Sequence, residues 1–290
     1  MRRTLLFCIG CLSGIILAGC HFNHREAEAL YLRAEAAFFQ GDYITAQHLI
    51  DSISEVDSLA YPWIQRGITL NQHIILEHNI RNRAYIDSIL PEMRKIAREL
   101  KSEFSGTYDE ATGDTLYRRR NDPHAGRNDI SCLRMEFNSD GKAQVTSVYC
   151  GREPLQHVSL KVELPDGSYA LSPTIPYGNE PNERTRLADG RYSEAVRYTG
   201  RGLRTIVETI ATAGDRAIKI SYAGQRPYSY YLSDDDRRTF EMSFNYLYIQ
   251  HRIRQMEQNR ALAEKTIQML KRQLSDNDFY DKKNATMICK

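Results

Sequence analysis

The C-terminal stretch of this chain constrains its fold most. Beyond Ser233, the residues Met242, Tyr246, Ile249, Ile253, Met256, Arg260, Ala263, Ile267, Leu270 and Leu274 follow alternating steps of four and three. That spacing is a heptad seam. It runs for roughly 40 residues, or about 60 Å of helix. A helix with a continuous apolar stripe gains most of its stability by laying that stripe on another helix. Ser233 and the acidic run Asp234, Asp235 and Asp236 give it a strong start, with a side-chain cap and negative charge at the positive end of the dipole. Arg260 interrupts the seam and predicts either a carboxylate opposite it or the end of tight contact.

A second long helical segment offers itself as the partner. Between residues 74 and 104, Ile86, Ile89, Leu90, Met93, Ile96, Ala97, Leu100 and Phe104 recur at three- and four-residue steps. Pro91 lies inside the run, where it lacks a donor and crowds the carbonyl four residues back, so a kink or restart is expected between Ser88 and Pro91.

Upstream, Leu30, Ala34, Ala37 and Phe38 share one helical face, Gly41, Asp42 and Tyr43 make a turn, and Ala46, Ile50, Ile53 and Val56 line a second helix. This stretch, residues 27–57, resembles a tetratricopeptide repeat. A second start follows at Trp63 to Gly67, but where the next turn is due the chain reads Ile74, Ile75, Leu76, Glu77 and His78 and stays helical. One and a half repeats do not make a free-standing solenoid, since about three are needed to bury their faces.

Residues 105–232 change character, with period-two patterns and glycine, proline and tyrosine replacing the helical period. Strands are expected at 130–137, 144–150, 157–164, 169–171, 192–198, 216–222 and 227–232, with a loop over 173–189 and a short amphipathic helix carrying Leu203, Ile206, Val207 and Ile210. The resulting expectation is an α+β chain: a repeat-like helical region and first stalk helix over 27–104, a β-rich domain over 105–232, a long helix over 233–275 and a flexible tail over 276–290. An antiparallel helical stalk would bracket the β-domain and bury both seams. The runner-up pairs the C-terminal helix with a copy of itself.

The N-terminus reads Arg2 and Arg3, an apolar run from Leu5 to Leu17, then Ala18, Gly19 and Cys20. The apolar run is short for a membrane span and small residues precede the cysteine. The segment resembles the lipobox of bacterial lipoproteins, which implies a signal peptide over 1–19, lipidation of Cys20 and a tether over 20–26. With His21 rather than Asp after the cysteine, the same resemblance implies the outer membrane, facing the periplasm. The partners expected are therefore the membrane, through the lipid anchor, and a protein partner or second copy, through the helices.

Charge excludes one class of partner. The net charge is +2, and residues 105–232 carry 17 Lys+Arg against 16 Asp+Glu, so no basic field points to nucleic acid. In an oxidising compartment Cys132 and Cys150, on neighbouring strands, are candidates for a disulfide, the alternative being two buried thiols. Tyr228, Tyr230 and Tyr231 form the candidate ligand-binding cluster. Tyr228 and Tyr230 point one way and Tyr231 the other, so one face is core; the functional reading of the other, with Tyr169, Tyr177, Tyr192 or Tyr198, is an aromatic platform for a glycan or peptide, and the alternative is that tyrosines simply suit half-buried strands. Arg118, Arg119 and Arg120 read as a charge run on a loop, with an anionic ligand or lipid headgroup as the functional reading. His21 and His24 lack the cysteines or carboxylates of a metal site. No Gly-x-Ser-x-Gly elbow, His-Glu-x-x-His helix or phosphate loop occurs, so no cofactor and no catalytic residue is expected, although residues distant in sequence can still meet in space.

Overall fold

A computed structural model describes residues 24–110, 113–178, 181–200 and 202–288, those from 276 onward by backbone alone. The signal segment, Cys20 and His21 lie outside the described residues. The fold is α+β. Helices α1 (24–39), α2 (Tyr43–Val56) and α3 (Tyr61–Ser102) precede the sheet region, α4 (Leu203–Ala211) lies within it, and α5 (Asp234–Ile288) follows. The chain divides into a helical unit, made of residues before 90 and after 255, and a β-rich unit, Leu90–Gln255.

In the helical unit, α1 and α2 form the expected hairpin. Gly41 turns the chain at φ +80°, a conformation that costs residues with a Cβ, and Asp42 caps α2 by accepting from the Thr45 amide at 3.1 Å. Ala34 and Ala46 are fully buried. Two apolar clusters tie the hairpin to α3: Ala27, Ile53 and Ala60 with Trp63 and Ile64, and Ala37, Ala46 and Ile74 with Phe38, Tyr43 and Ile50. On another side of α3, Leu76 packs with Ile267, Leu270 and Leu274 of α5. Arg83 binds Glu264 at 2.6 Å and Asp87 binds Arg260, so numbers rise along α3 as they fall along α5. The two helices are antiparallel here, and Asp87 is the carboxylate that Arg260 demanded. The late part of the α5 seam, Ile267, Leu270 and Leu274, is thus buried against α3 of the same chain.

One helical expectation is narrowed and another corrected. Of the kink or restart expected between Ser88 and Pro91, no restart occurs: α3 runs as one helix through Pro91, with Ile86, Leu90 and Ala97 buried on either side. The backbone of α5 stays helical to Ile288, through the stretch expected to be a tail.

Among the described residues the β-rich unit holds ten strands: β1 (Phe104–Asp109), β2 (Asp114–Arg119), β3 (Cys132–Asn138), β4 (Ala143–Gly151), β5 (Ser159–Glu163), β6 (Tyr169–Leu171), β7 (Asn182–Arg186), β8 (Tyr192–Thr199), β9 (Lys219–Ala223) and β10 (Tyr228–Tyr231). They form a six-stranded sheet, β1-β2-β3-β4-β8-β7, and a four-stranded sheet, β10-β9-β5-β6, with every pairing antiparallel. One core joins them: Leu133, Met135, Val145 and Val196 of the larger sheet, Leu160, Val162 and Ile220 of the smaller, and Leu203, Ile206 and Ile210 of α4.

The hairpin β1–β2 and strand β7 were not expected. Their sequences, FSGTYD, DTLYRR and NERTR, carry little apolar alternation because they lie at or next to sheet edges and are held by backbone pairing. Arg118 and Arg119 accordingly sit on a strand, not a loop. The boundaries at 105 and 232 also move outward. Phe240 of α5 is fully buried in the sheet core, and Phe104, Phe137 and Tyr246 form a cluster with Leu100 and Met242, so both long helices contribute to the core of the β-rich unit.

Candidate functional site

Three polar side chains meet inside the β-rich unit. On β8, alternation turns Glu194, Val196 and Tyr198 inward, and on β4 it turns Val145, Ser147 and Tyr149 inward. The loop between β4 and β5 brings His157 between them. Its Nδ1 lies 3.2 Å from Glu194 Oε2, and its Nε2 lies 2.8 Å from Ser147 Oγ. A carboxylate only accepts, so Nδ1 carries a proton and donates it to Glu194, while Nε2 shares a hydrogen bond with the serine hydroxyl.

The loop is shaped around the carboxylate. Gln156 adopts φ +53°, and the amides of Leu155 and Gln156 donate to Glu194 Oε1 at 2.8 and 2.9 Å while that of His157 donates to Oε2 at 3.1 Å. Three successive N–H groups turned onto one anion make a backbone nest. Burial pushes the Glu194 carboxyl up, but the hydrogen bonds from the His157 ring and from the Gln156 and His157 amides outweigh it and hold it below the usual value. Tyr222 stacks on the His157 ring at 4.8 Å, and Asn182 donates to the His157 carbonyl at 2.9 Å. The Tyr198 hydroxyl, 3.4 Å from Ser147 Oγ, closes the other end, and burial raises its pKa to about 12, so it stays neutral.

Hydroxyl, imidazole and carboxylate in this order are the parts of a nucleophile relay. All three residues are fully buried. A relay acting on a substrate needs Ser147 Oγ within reach of the reacting carbon, and among the described residues the buried hydroxyl has His157 and Tyr198 as its hydrogen-bonding neighbours. The arrangement ties the loop between β4 and β5 to strands β4 and β8. No local motif announces it, as 10 and 37 residues separate His157 from its two partners. The available signal was a polar residue at an inward-facing position of an alternating strand, twice over.

The tyrosine cluster does not assemble as a single platform. Tyr228 and Tyr230 are part of the core boundary, packed with Tyr149 and Tyr222, while Tyr231 is 70 % exposed. Tyr198 is fully buried, and Tyr177 and Tyr192 stand against Arg184. Of the set, only Tyr169 shares the outer face of the smaller sheet with Tyr231, at the far ends of the row Tyr231, Lys219, Glu163 and Tyr169.

Of the two alternatives for Cys132 and Cys150, the structure has the free thiols, Cys132 buried and Cys150 half-buried. Register places Cys132 opposite Val148 and Cys150 opposite Ser193, so the two are diagonal neighbours, beyond usual bridging distance. Burial raises the Cys132 thiol to about 12 and pushes that of Cys150 up as well, against the pull of Arg191, whose Nη1 lies 3.1 Å from its sulfur. The arginine run is also engaged: Arg118 binds Glu136, Arg119 reaches the Asp235 carbonyl and Thr239, and Arg120 donates to the Ser102 carbonyl. His24 bonds Asp57, and among the described residues no group of three or more His, Cys, Asp or Glu side chains could hold a metal ion. None of the helices among the described residues is long and apolar enough to cross a membrane. No protein-family model matches this chain, and no curated protein matches it.

Proposed function

We propose that this protein is a lipid-anchored, non-enzymatic interaction module of the periplasm, tethered through Cys20 to the outer membrane, whose helical unit docks a helix of a protein partner. The observation that carries this reading is a row left unused by the fold. Tyr61, Ile68 and Ile75 stand seven residues apart on α3 and are 64, 48 and 37 % exposed. They span about 21 Å, and heptad spacing is the register in which one helix receives the side chains of another. Leu32 and Phe39 repeat the interval on α1, at 53 and 79 % exposure. Large apolar side chains kept in water at regular spacing mark a contact surface.

The docking claim is tested by placing a photocrosslinking residue at position 68 or 75 in cells. A discrete adduct, absent when the probe replaces a polar residue such as Glu77, supports it. Absence of any adduct from both positions removes it. For the tether, a fatty-acid analogue is expected to label the wild type and not Cys20→Ala, and equal labelling of both would end the lipoprotein reading. A second reading, capture of a glycan or peptide by the β-rich unit, draws on exposed Tyr231 and Tyr169 in one row of the smaller sheet. It gains ground if the crosslinks fail and a glycan-array signal disappears in Tyr231→Ala.

A further inference from the structure

The outer face of the six-stranded sheet carries a second constellation. Strand register sets Arg134 of β3, Thr146 of β4 and Arg197 of β8 in one row, each arginine directly opposite the threonine. Adjacent strands are about 4.8 Å apart, so the two arginine Cα atoms lie about 10 Å apart, and guanidinium groups on both stems can converge over the threonine hydroxyl. In the next row Glu136, two residues from Arg134 on the same strand, is already spent: one oxygen takes Arg118 and the other takes Gln144 at 2.5 Å. Arg134 makes one hydrogen bond, from Nη1 to the Arg127 carbonyl at 3.2 Å, and its Nε is buried without a partner. A cavity of about 270 Å³ opens here, with Thr107, Tyr108, Asp109, Leu116 and Arg118 on its β1–β2 side, and Tyr108 is 65 % exposed.

Arg118, Arg134 and Arg197 line this cavity against the carboxylates of Asp109 and Glu136, so positive charge is in excess there, beside an orphaned buried donor. Guanidinium forks match oxyanions, and a hydroxyl between them adds a third donor. We infer that the row Arg134, Thr146 and Arg197 is a binding site for an oxyanion, a phosphate or carboxylate group carried on a small ligand or a lipid headgroup. Tyr108 and Leu116 offer contact to the part of the ligand that bears the anion. The site owes nothing to the helical unit, and its failure would leave the docking proposal standing.

The test uses the full chain in detergent, at fixed ionic strength because exposed cations gather anions loosely. Inorganic phosphate and acetate are titrated separately and followed by calorimetry. In parallel, flotation with phosphatidylglycerol vesicles is compared with flotation on neutral vesicles, using the Cys20→Ala form so that the tether plays no part. Saturable binding is expected for at least one probe, weakened about tenfold or more in Arg197→Gln, since a hydrogen bond to a charged group is worth about 1.5–3 kcal/mol. Arg197 is exposed, so this variant keeps the fold. Arg134→Gln should match it, and Arg134→Lys should recover part of the affinity. Arginine-dependent binding to phosphate or acetate identifies a soluble ligand, and arginine-dependent binding to anionic vesicles alone identifies the headgroup. Absence of saturable binding to every probe, or equal binding by wild type and Arg197→Gln, overturns the inference.

Discussion

Replacing Glu194 with alanine is expected to destabilise the β-rich unit by about 4 kcal/mol at neutral pH, the range found when one partner of a buried charged network is removed. The loss has a specific origin. The amides of Leu155, Gln156 and His157 and the His157 Nδ1–H all donate to this carboxylate, and truncation leaves these donors buried without acceptors. The left-handed backbone at Gln156, which turns the amides toward one point, would then carry its strain with no anion to hold. The effect should depend on pH with a definite sign. The Glu194 carboxyl lies below its usual value in the folded protein, so its contribution is fully present above the ordinary carboxylate range and is lost as pH falls through the folded value. Urea denaturation followed by hydrogen exchange of the β4 and β8 amides checks both points. A Glu194→Ala protein that unfolds at the wild-type urea concentration at pH 7 would show that the network is dispensable.

In the helical unit the largest effect is expected from Ile267→Asp. Ile267 is 2 % exposed and packs with Leu76, Leu270 and Leu274. Losing its side chain costs about 2–5 kcal/mol by itself, and a buried carboxylate adds desolvation until it protonates or drags water in. The contact between α3 and α5 around Leu76 should open, with loss of amide protection in both helices near that cluster. The amides of the β-rich unit should keep theirs, since neither the sheet cluster nor the aromatic one takes in a residue of α5 beyond Leu247. Ile267→Leu, which conserves volume, should stay within about 1.5 kcal/mol of wild type. Unchanged protection in Ile267→Asp would place this residue outside the load of the pair.

Much of the fold was legible in the sequence, and the reason is periodicity. The seam through Ile253, Ile267, Leu270 and Leu274 is buried as its spacing required, and Arg260 met a carboxylate as its place in the seam demanded. The Ser233 start is a working cap, with Ser233 Oγ accepting the Asp236 amide at 3.1 Å. Strands with one buried face, such as β5 and β9, declared themselves by alternation. Strands without one, β1, β2 and β7, did not, because backbone pairing at or near a sheet edge leaves little mark on side-chain order.

What only the tertiary structure decided was everything that rests on register between distant segments. Local pattern assigns a side chain to a face, but not to the residue opposite it. Register put Cys132 beside Val148 instead of Cys150, set Arg134 and Arg197 around Thr146, and spent Glu136 on Arg118. It also brought Ser147, His157 and Glu194 together from three separate elements. The sequence by itself determined the helical and β-rich portions, their order and the faces they bury, since those follow from repeats a few residues long. The pairing of one buried or charged group with another depends on chain crossings tens of residues apart, and only folding resolves those.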